Sequence, residues 1–192
     1  MNAAHRTALT ACLSVLAAGS ALAQAPSMAP PAAAPAAAAP ATAGDAGAVT
    51  GSDRRFLVSE ARGSAYELAI SQLAQERAAR QDVKDYAGRM VSDHGSYNTE
   101  LRRLAGSRRV DLPDGLTRGD KQKLDKLRGL HGAAFDNAFV AEARRINAED
   151  VRDGHTEAQR TKDPAIRSFL ERFASVDTEH QKIAEGLRSS RR

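Results

Sequence analysis

The sequence predicts an all-α protein: an up-down-up-down four-helix bundle with a short extra helix before its third long helix. From Asp53 onward the chain is rich in Ala, Leu, Arg, Glu, Gln and Lys, and its few Pro and Gly residues fall where joints are needed. Apolar residues recur at alternating steps of four and three, the seam of a helix that packs on its neighbours. Tight joints at Arg80-Gln81 and Asp163-Pro164 then fold long helices back on each other.

Helix one is expected from about Asp53 to Ala79, with Asp53 as N-cap. Its inner line is Phe56, Glu60, Gly63, Glu67, Ile70, Ala74; a second apolar line, Leu57, Ala61, Ala65, Leu68, flanks it and leaves one wetted side. Helix two starts after Arg80-Gln81 with Asp82 as cap and ends near Gly106. Its seam, Val83, Ala87, Met90, His94, Tyr97, Leu101, Leu104, points His94 inward. Val110-Asp111-Leu112-Pro113-Asp114-Gly115 reads as a loop. Thr117 then caps a charged amphipathic stretch to about Leu130, the short extra helix. Helix three follows from about Gly132 to Thr161, carrying Phe135, Phe139, Ala143, Ile146 and Val151. Helix four opens with Asp163 as cap and Pro164 at its first position, and carries Ile166, Leu170, Phe173, Asp177, His180, Ala184 and Leu187.

The first 52 residues read differently. Arg6 precedes a short apolar run from Ala8 to Ala23, and Ala21-Leu22-Ala23 before Gln24 has the small-residue form of a cleavage site, so residues 1–23 are expected to be a secretory signal peptide. The only cysteine, Cys12, lies in this run; Leu9-Thr10-Ala11-Cys12 resembles a lipoprotein box without the apolar stretch that should precede it. The mature chain then has no thiol, hence no disulfide and no thiolate site. Residues 24–52, nearly all Ala, Pro, Gly, Ser and Thr, offer little to bury and read as an extended tether of about 29 residues. Residues 53–192, about 140 in number, form one domain of ordinary size.

Loss of Arg6 would take the formal charge from +4 to +3, and the basic residues are interleaved with acids as in Asp120-Lys121-Gln122-Lys123. With no Trp and no alternation of aromatics with basics, a nucleic-acid platform is not expected. No membrane span is expected in the mature chain.

Four polar residues sit on the apolar seams: Glu67, His94, Asn147 and His180, one on each long helix. Counted from the two tight joints, all four lie about 20–25 Å from the same end of the bundle. Asp177 shares a face with His180, one turn away, and Asp93 precedes His94.

The domain resembles a family of exported bacterial helical proteins, the domain-of-unknown-function 4142 family. The resemblance rests on Phe56 with Gly63 and Glu67, on Met90-Val91-Ser92-Asp93-His94, on Leu112-Pro113, on Phe135-Asp136 with Phe139, and on His180. It spans nearly all of residues 53 to 187 and implies a ferritin-like bundle; some members carry an outer-membrane label. Family members usually have a histidine at the position of Asn147. They also usually have Leu-Pro and then Leu before the last histidine, where this chain has Ala174-Ser175 and Asp177.

Two readings of the polar waist follow. Glu67, His94, Asp177 and His180 offer oxygen and imidazole ligands to iron, manganese or zinc, with Asp93 orienting an imidazole and Asn147 as a neighbour. A di-iron site of the bundle type needs two carboxylate-x-x-His pairs, and the chain has one, Asp177 with His180; three residues before His94 stands Val91. Alternatively Glu67 pairs with His94 and His180 in a structural network that Asn147 bridges. Glu60, a heptad before Glu67, is about 10 Å away along the helix, too far to share one ion, and marks a polar channel. The sequence favours an exported, periplasmic or envelope-associated protein with a structural waist and no assigned enzymatic activity. The alternatives are a metal-binding or metal-dependent redox or stress protein, and an adaptor for an envelope partner. The sequence specifies no oligomeric state.

Overall fold

The structure, a computed structural model, describes residues 49–187; the expected signal peptide and residues 24–48 of the expected tether lie outside the described residues. Five helices follow one another, with no strand among the described residues: α1 (Gly51–Arg77), α2 (Gln81–Ser107), α3 (Arg118–Arg128), α4 (Gly132–Arg160) and α5 (Pro164–Gly186). None is long and apolar enough to cross a membrane.

The helix starts show how the chain satisfies its free amides. At α1 the N-cap is Thr50, whose hydroxyl accepts from the Asp53 amide at 3.1 Å while the Asp53 carboxylate accepts from the Thr50 amide at 2.9 Å. Asp53 is therefore the third residue of a capping box and not the expected N-cap, because the reciprocal pair satisfies two donors instead of one. Thr117 and Asp120 repeat the device at α3. At α5 Asp163 caps the amides of Ala165 and Ile166 and Pro164 takes the first turn, as expected. At α2 the N-cap is Arg80 and not Asp82, with no side-chain cap of its own. A distant residue does that work: the two carboxylate oxygens of Asp136, buried on α4, accept from the Ala79 and Arg80 amides at 2.9 and 3.0 Å.

Asp136 also fixes the direction of the chain. It ties the α1–α2 joint to the first turns of α4. At the other extreme, Arg108 beyond the end of α2 donates to both oxygens of Asp163 in the α4–α5 joint, at 2.5 and 3.0 Å. The two tight joints thus lie at opposite ends. α2 and α4 run the same way, and α1 and α5 the other, which corrects the expected up-down-up-down order. The physical reason is the α2–α4 connection: it carries α3 back along the bundle, against α1 and α4, so that α4 starts at the end where α2 started. α1 packs on α2 and α4, and α5 packs on α2 and α4.

The apolar interior is split in two. One cluster gathers Ile70, Met90, Phe135, Phe139 and Ala184 near the α1–α2 joint. The other gathers Leu57, Leu101, Ile166 and Phe169 near the α4–α5 joint. Between them lie the buried side chains of Ser64, Glu67, His94 and His180. Because the two joints lie at opposite ends, the expected heights refer to different ends and that count does not hold; the residues still meet, with His180 in the last two turns of α5, which ends at Gly186.

Asp136→Asn puts an amide group against one of two N–H donors that a carboxylate now satisfies. Stability should fall by about 2–3 kcal/mol in denaturant unfolding. A change below about 0.5 kcal/mol would show that Asp136 is not the latch of this joint.

Candidate functional site

The waist has two unlike halves. In the closed half every polar group found has its partner. His180 Nε2 lies 2.9 Å from Asp93 Oδ2, and Asp93 also accepts from Arg89 at 3.4 Å. Asn147 donates through Nδ2 to the Tyr86 hydroxyl at 2.9 Å and to the Ala143 carbonyl at 2.6 Å. The expected bridge from Asn147 to the histidines is therefore not formed; the amide turns to Tyr86 of α2, which neighbours the seam residue Ala87. Asp93 does orient an imidazole, and it is that of His180.

The open half is a cavity of about 370 Å³ between α1 and α4, with α2 and α5 as its back wall and α3 at its mouth. Glu60, Gly63, Ser64 and Glu67 come from α1, His94 and Tyr97 from α2, Asp150 and Asp153 from α4, and Asp177 from α5. His94 Nδ1 is 2.9 Å from the Ser64 hydroxyl, and its Nε2 is 3.3 Å from Glu67 Oε2. That second approach is close enough for an ion pair but lacks hydrogen-bond alignment, so both atoms are buried and unsatisfied. The side chains of Glu67 and His94 are 4% and 8% exposed, which makes each missing partner costly. The rings of His94 and His180 stack at 5.6 Å, so His94 adjoins the closed half while facing the open one.

Burial governs the charges here. It pushes Glu60 up to about 7, against the opposing effect of a 2.6 Å hydrogen bond from Tyr97. It pushes Asp177 up to about 6, with His94 pulling the other way. Glu67 and Asp150 are both pushed up by burial, and each is raised further by a neighbouring carboxylate. Burial lowers His94, keeping its imidazole neutral. Among the described residues no Lys or Arg forms an ion pair with Glu60, Glu67, Asp150 or Asp177; Arg62, Lys123 and Arg145 line the cavity, with Arg145 paired to Glu142 and Glu149 and Lys123 to Glu142, and Arg145 favours the charged form of Glu67 from a distance.

This arrangement fits a positive charge. It offers a metal ion one close pair of ligand atoms. The 3.3 Å between Glu67 Oε2 and His94 Nε2 is close to the ligand–ligand edge, about 3.4 Å, of a tetrahedral ion of zinc type. Yet no three His, Cys, Asp or Glu side chains converge on one point among the described residues. Of the expected ligands, Glu67, His94 and Asp177 line the cavity and His180 does not. Sequence reasoning missed Asp150, whose spacing of three from Asn147 and place in the Glu149-Asp150-Asp153 run signalled an acidic inner face on α4. It noted Glu60 as the mark of a channel but not its bond from Tyr97.

The raised carboxyl groups set a pH dependence. The folded chain holds protons on Glu60 and Asp177 that the unfolded chain, with values of 4.5 and 3.8, has released. Stability therefore falls as pH rises from about 4 to about 7. Glu60→Gln keeps an acceptor for Tyr97 and removes one such proton. It should raise stability at pH 8 by on the order of 1–2 kcal/mol and leave it unchanged at pH 4, as read from unfolding curves at the two pH values.

No curated protein and no solved structure matches the chain. A family model does, over residues 34–187, and it is described as a domain of unknown function (DUF4142). That span takes in every helix and every residue of the waist, and the chain belongs to this family.

Proposed function

We propose that this is an exported, periplasmic or envelope-associated ferritin-like bundle whose waist cavity binds a cation. The observation that carries the reading is the buried, unsatisfied pair of Glu67 and His94, facing a cavity whose deep carboxyl groups, Glu60, Asp150 and Asp177, form no ion pair with a Lys or Arg among the described residues, although Arg62, Lys123 and Arg145 line its outer wall. A purely structural network would be expected to satisfy such atoms internally. The structural reading keeps its hold on the other half of the waist, where His180–Asp93 and Asn147–Tyr86 are satisfied pairs.

The ferritin-like assignment is supported by two antiparallel pairs, α1–α2 and α4–α5, joined by one long crossover that carries α3. Export is supported by the n-region, apolar run and small-residue site in residues 1–23, with the Ala/Pro-rich stretch as a tether from the envelope. An envelope partner would engage an outer surface of the bundle and leave the cavity free.

The test is thermal unfolding of the full chain against a panel of manganese(II), iron(II), zinc(II) and small organic ammonium ions, beside Glu67→Gln and His94→Ala. One class of cation should raise the stability of the wild-type chain, by about 2.7 kcal/mol at a hundredfold excess over Kd, and not that of Glu67→Gln. If no cation on the panel shifts the transition, while both variants simply lose stability, the waist is structural throughout.

A further inference from the structure

The cavity is too large and its acids too dispersed for a single ion, and both facts describe a longer cation. Resting on the cation-binding reading above, we propose that the waist cavity takes an extended aliphatic diamine or polyamine, with one ammonium at Glu67, Asp150 and His94 and the other at Glu60.

Four observations support this ligand class. First, the volume of about 370 Å³ is in the range of small-molecule sites and would hold on the order of ten waters, where a bare ion needs far less. Second, Glu60 and Glu67 are a heptad apart on one helix, about 10 Å along its axis, so they form two stations and not one coordination sphere. Third, at one station His94 Nε2 and Glu67 Oε2 lack partners; in the tautomer whose Nδ1–H donates to the Ser64 hydroxyl, Nε2 and the carboxylate oxygen are both acceptors, and an ammonium brings three donors to them. Fourth, Glu60 at the other station keeps acceptor capacity beyond its bond from Tyr97, whose ring lies 6.0 Å from that of His94 and walls the space between stations.

An extended chain of four or five methylenes separates its terminal nitrogens by about 6–8 Å, and charge-assisted hydrogen bonds of about 2.8 Å that meet the helix axis obliquely at each end bring the span to the about 10 Å between stations. Asp177 faces His94 from α5 and supplies charge beside the span. The ammonium groups bring the buried carboxyl groups a counter-charge that no Lys or Arg of the described residues supplies by ion pairing.

Calorimetric titration of the full chain at pH 8 separates the possibilities. The titrants are 1,4-diaminobutane, n-butylamine, and manganese(II) or zinc(II) chloride alone. One equivalent of the diamine should bind, about tenfold or more tighter than butylamine, the value of one added hydrogen bond between charged groups. Glu60→Gln should erase that preference, and Glu67→Gln should weaken both amines. Should Glu67→Gln fail to fold, the Glu60→Gln ratio decides by itself. Equal affinity for diamine and butylamine in the wild-type chain would overturn the two-station site. Stoichiometric metal binding with no diamine binding would overturn the ligand class and leave the cation reading standing. No binding by any titrant would remove both.

Discussion

A polar atom taken out of water must find a partner, and at the waist of this bundle the chain supplies partners for only half of them. His180 and Asn147 are closed off by Asp93 and Tyr86. Glu67 and His94 are not, although they are as deeply buried and stand 3.3 Å apart. Leaving two such atoms unsatisfied costs on the order of 1–3 kcal/mol each, a large share of what holds a domain of this size together. The two apolar clusters on either side absorb that cost, with Phe135, Phe139 and Met90 on one side and Leu57, Leu101 and Ile166 on the other.

The crossover explains why the cavity lies where it does. Because the α2–α4 connection must travel back along the bundle, α3 lies on the side where α1 faces α4 and places Thr117, Asp120 and Lys123 at the mouth. On α1 the wall beneath is thin: Gly63 has no side chain, and a β-carbon built there would meet no atom within 4 Å. The neighbouring Ser64 spends its hydroxyl on His94. Short side chains on α1 leave the acids of α4 and α5 in open space, where larger apolar ones would have closed the core.

Most of the fold was legible in the sequence because helix seams and caps are local. The four-and-three steps located every long helix, and Thr117 and Asp163-Pro164 marked two starts correctly. What escaped was non-local. Asp136 caps a joint more than fifty residues away, and no pattern near Arg80 announces it. The direction of α4 depends on how far the α2–α4 connection travels, which its composition does not state. At the site, the seam positions placed Glu67 and His94 face to face, but not whether they would align. Nor could the seam show that His180 turns to Asp93, since a rotamer choice decides it.

The protein carries a net positive charge, yet its interior concentrates acids. Solvation resolves this apparent contradiction. Arg145 and Lys123 are tied to Glu142 at the mouth, and the deeper carboxyl groups meet burial by holding protons instead of recruiting a lysine or arginine from the chain. A carboxyl group neutralised by a protein cation is finished chemically: its partner is covalently anchored and cannot leave. A carboxyl group neutralised by a proton is poised, because the proton exchanges with solvent and gives way to any cation that fits. The lack of an ion pair between Glu60, Glu67, Asp150 or Asp177 and any Lys or Arg of the described residues is thus what separates this half of the waist from a structural network. It leaves room for a positive charge that comes from outside the chain.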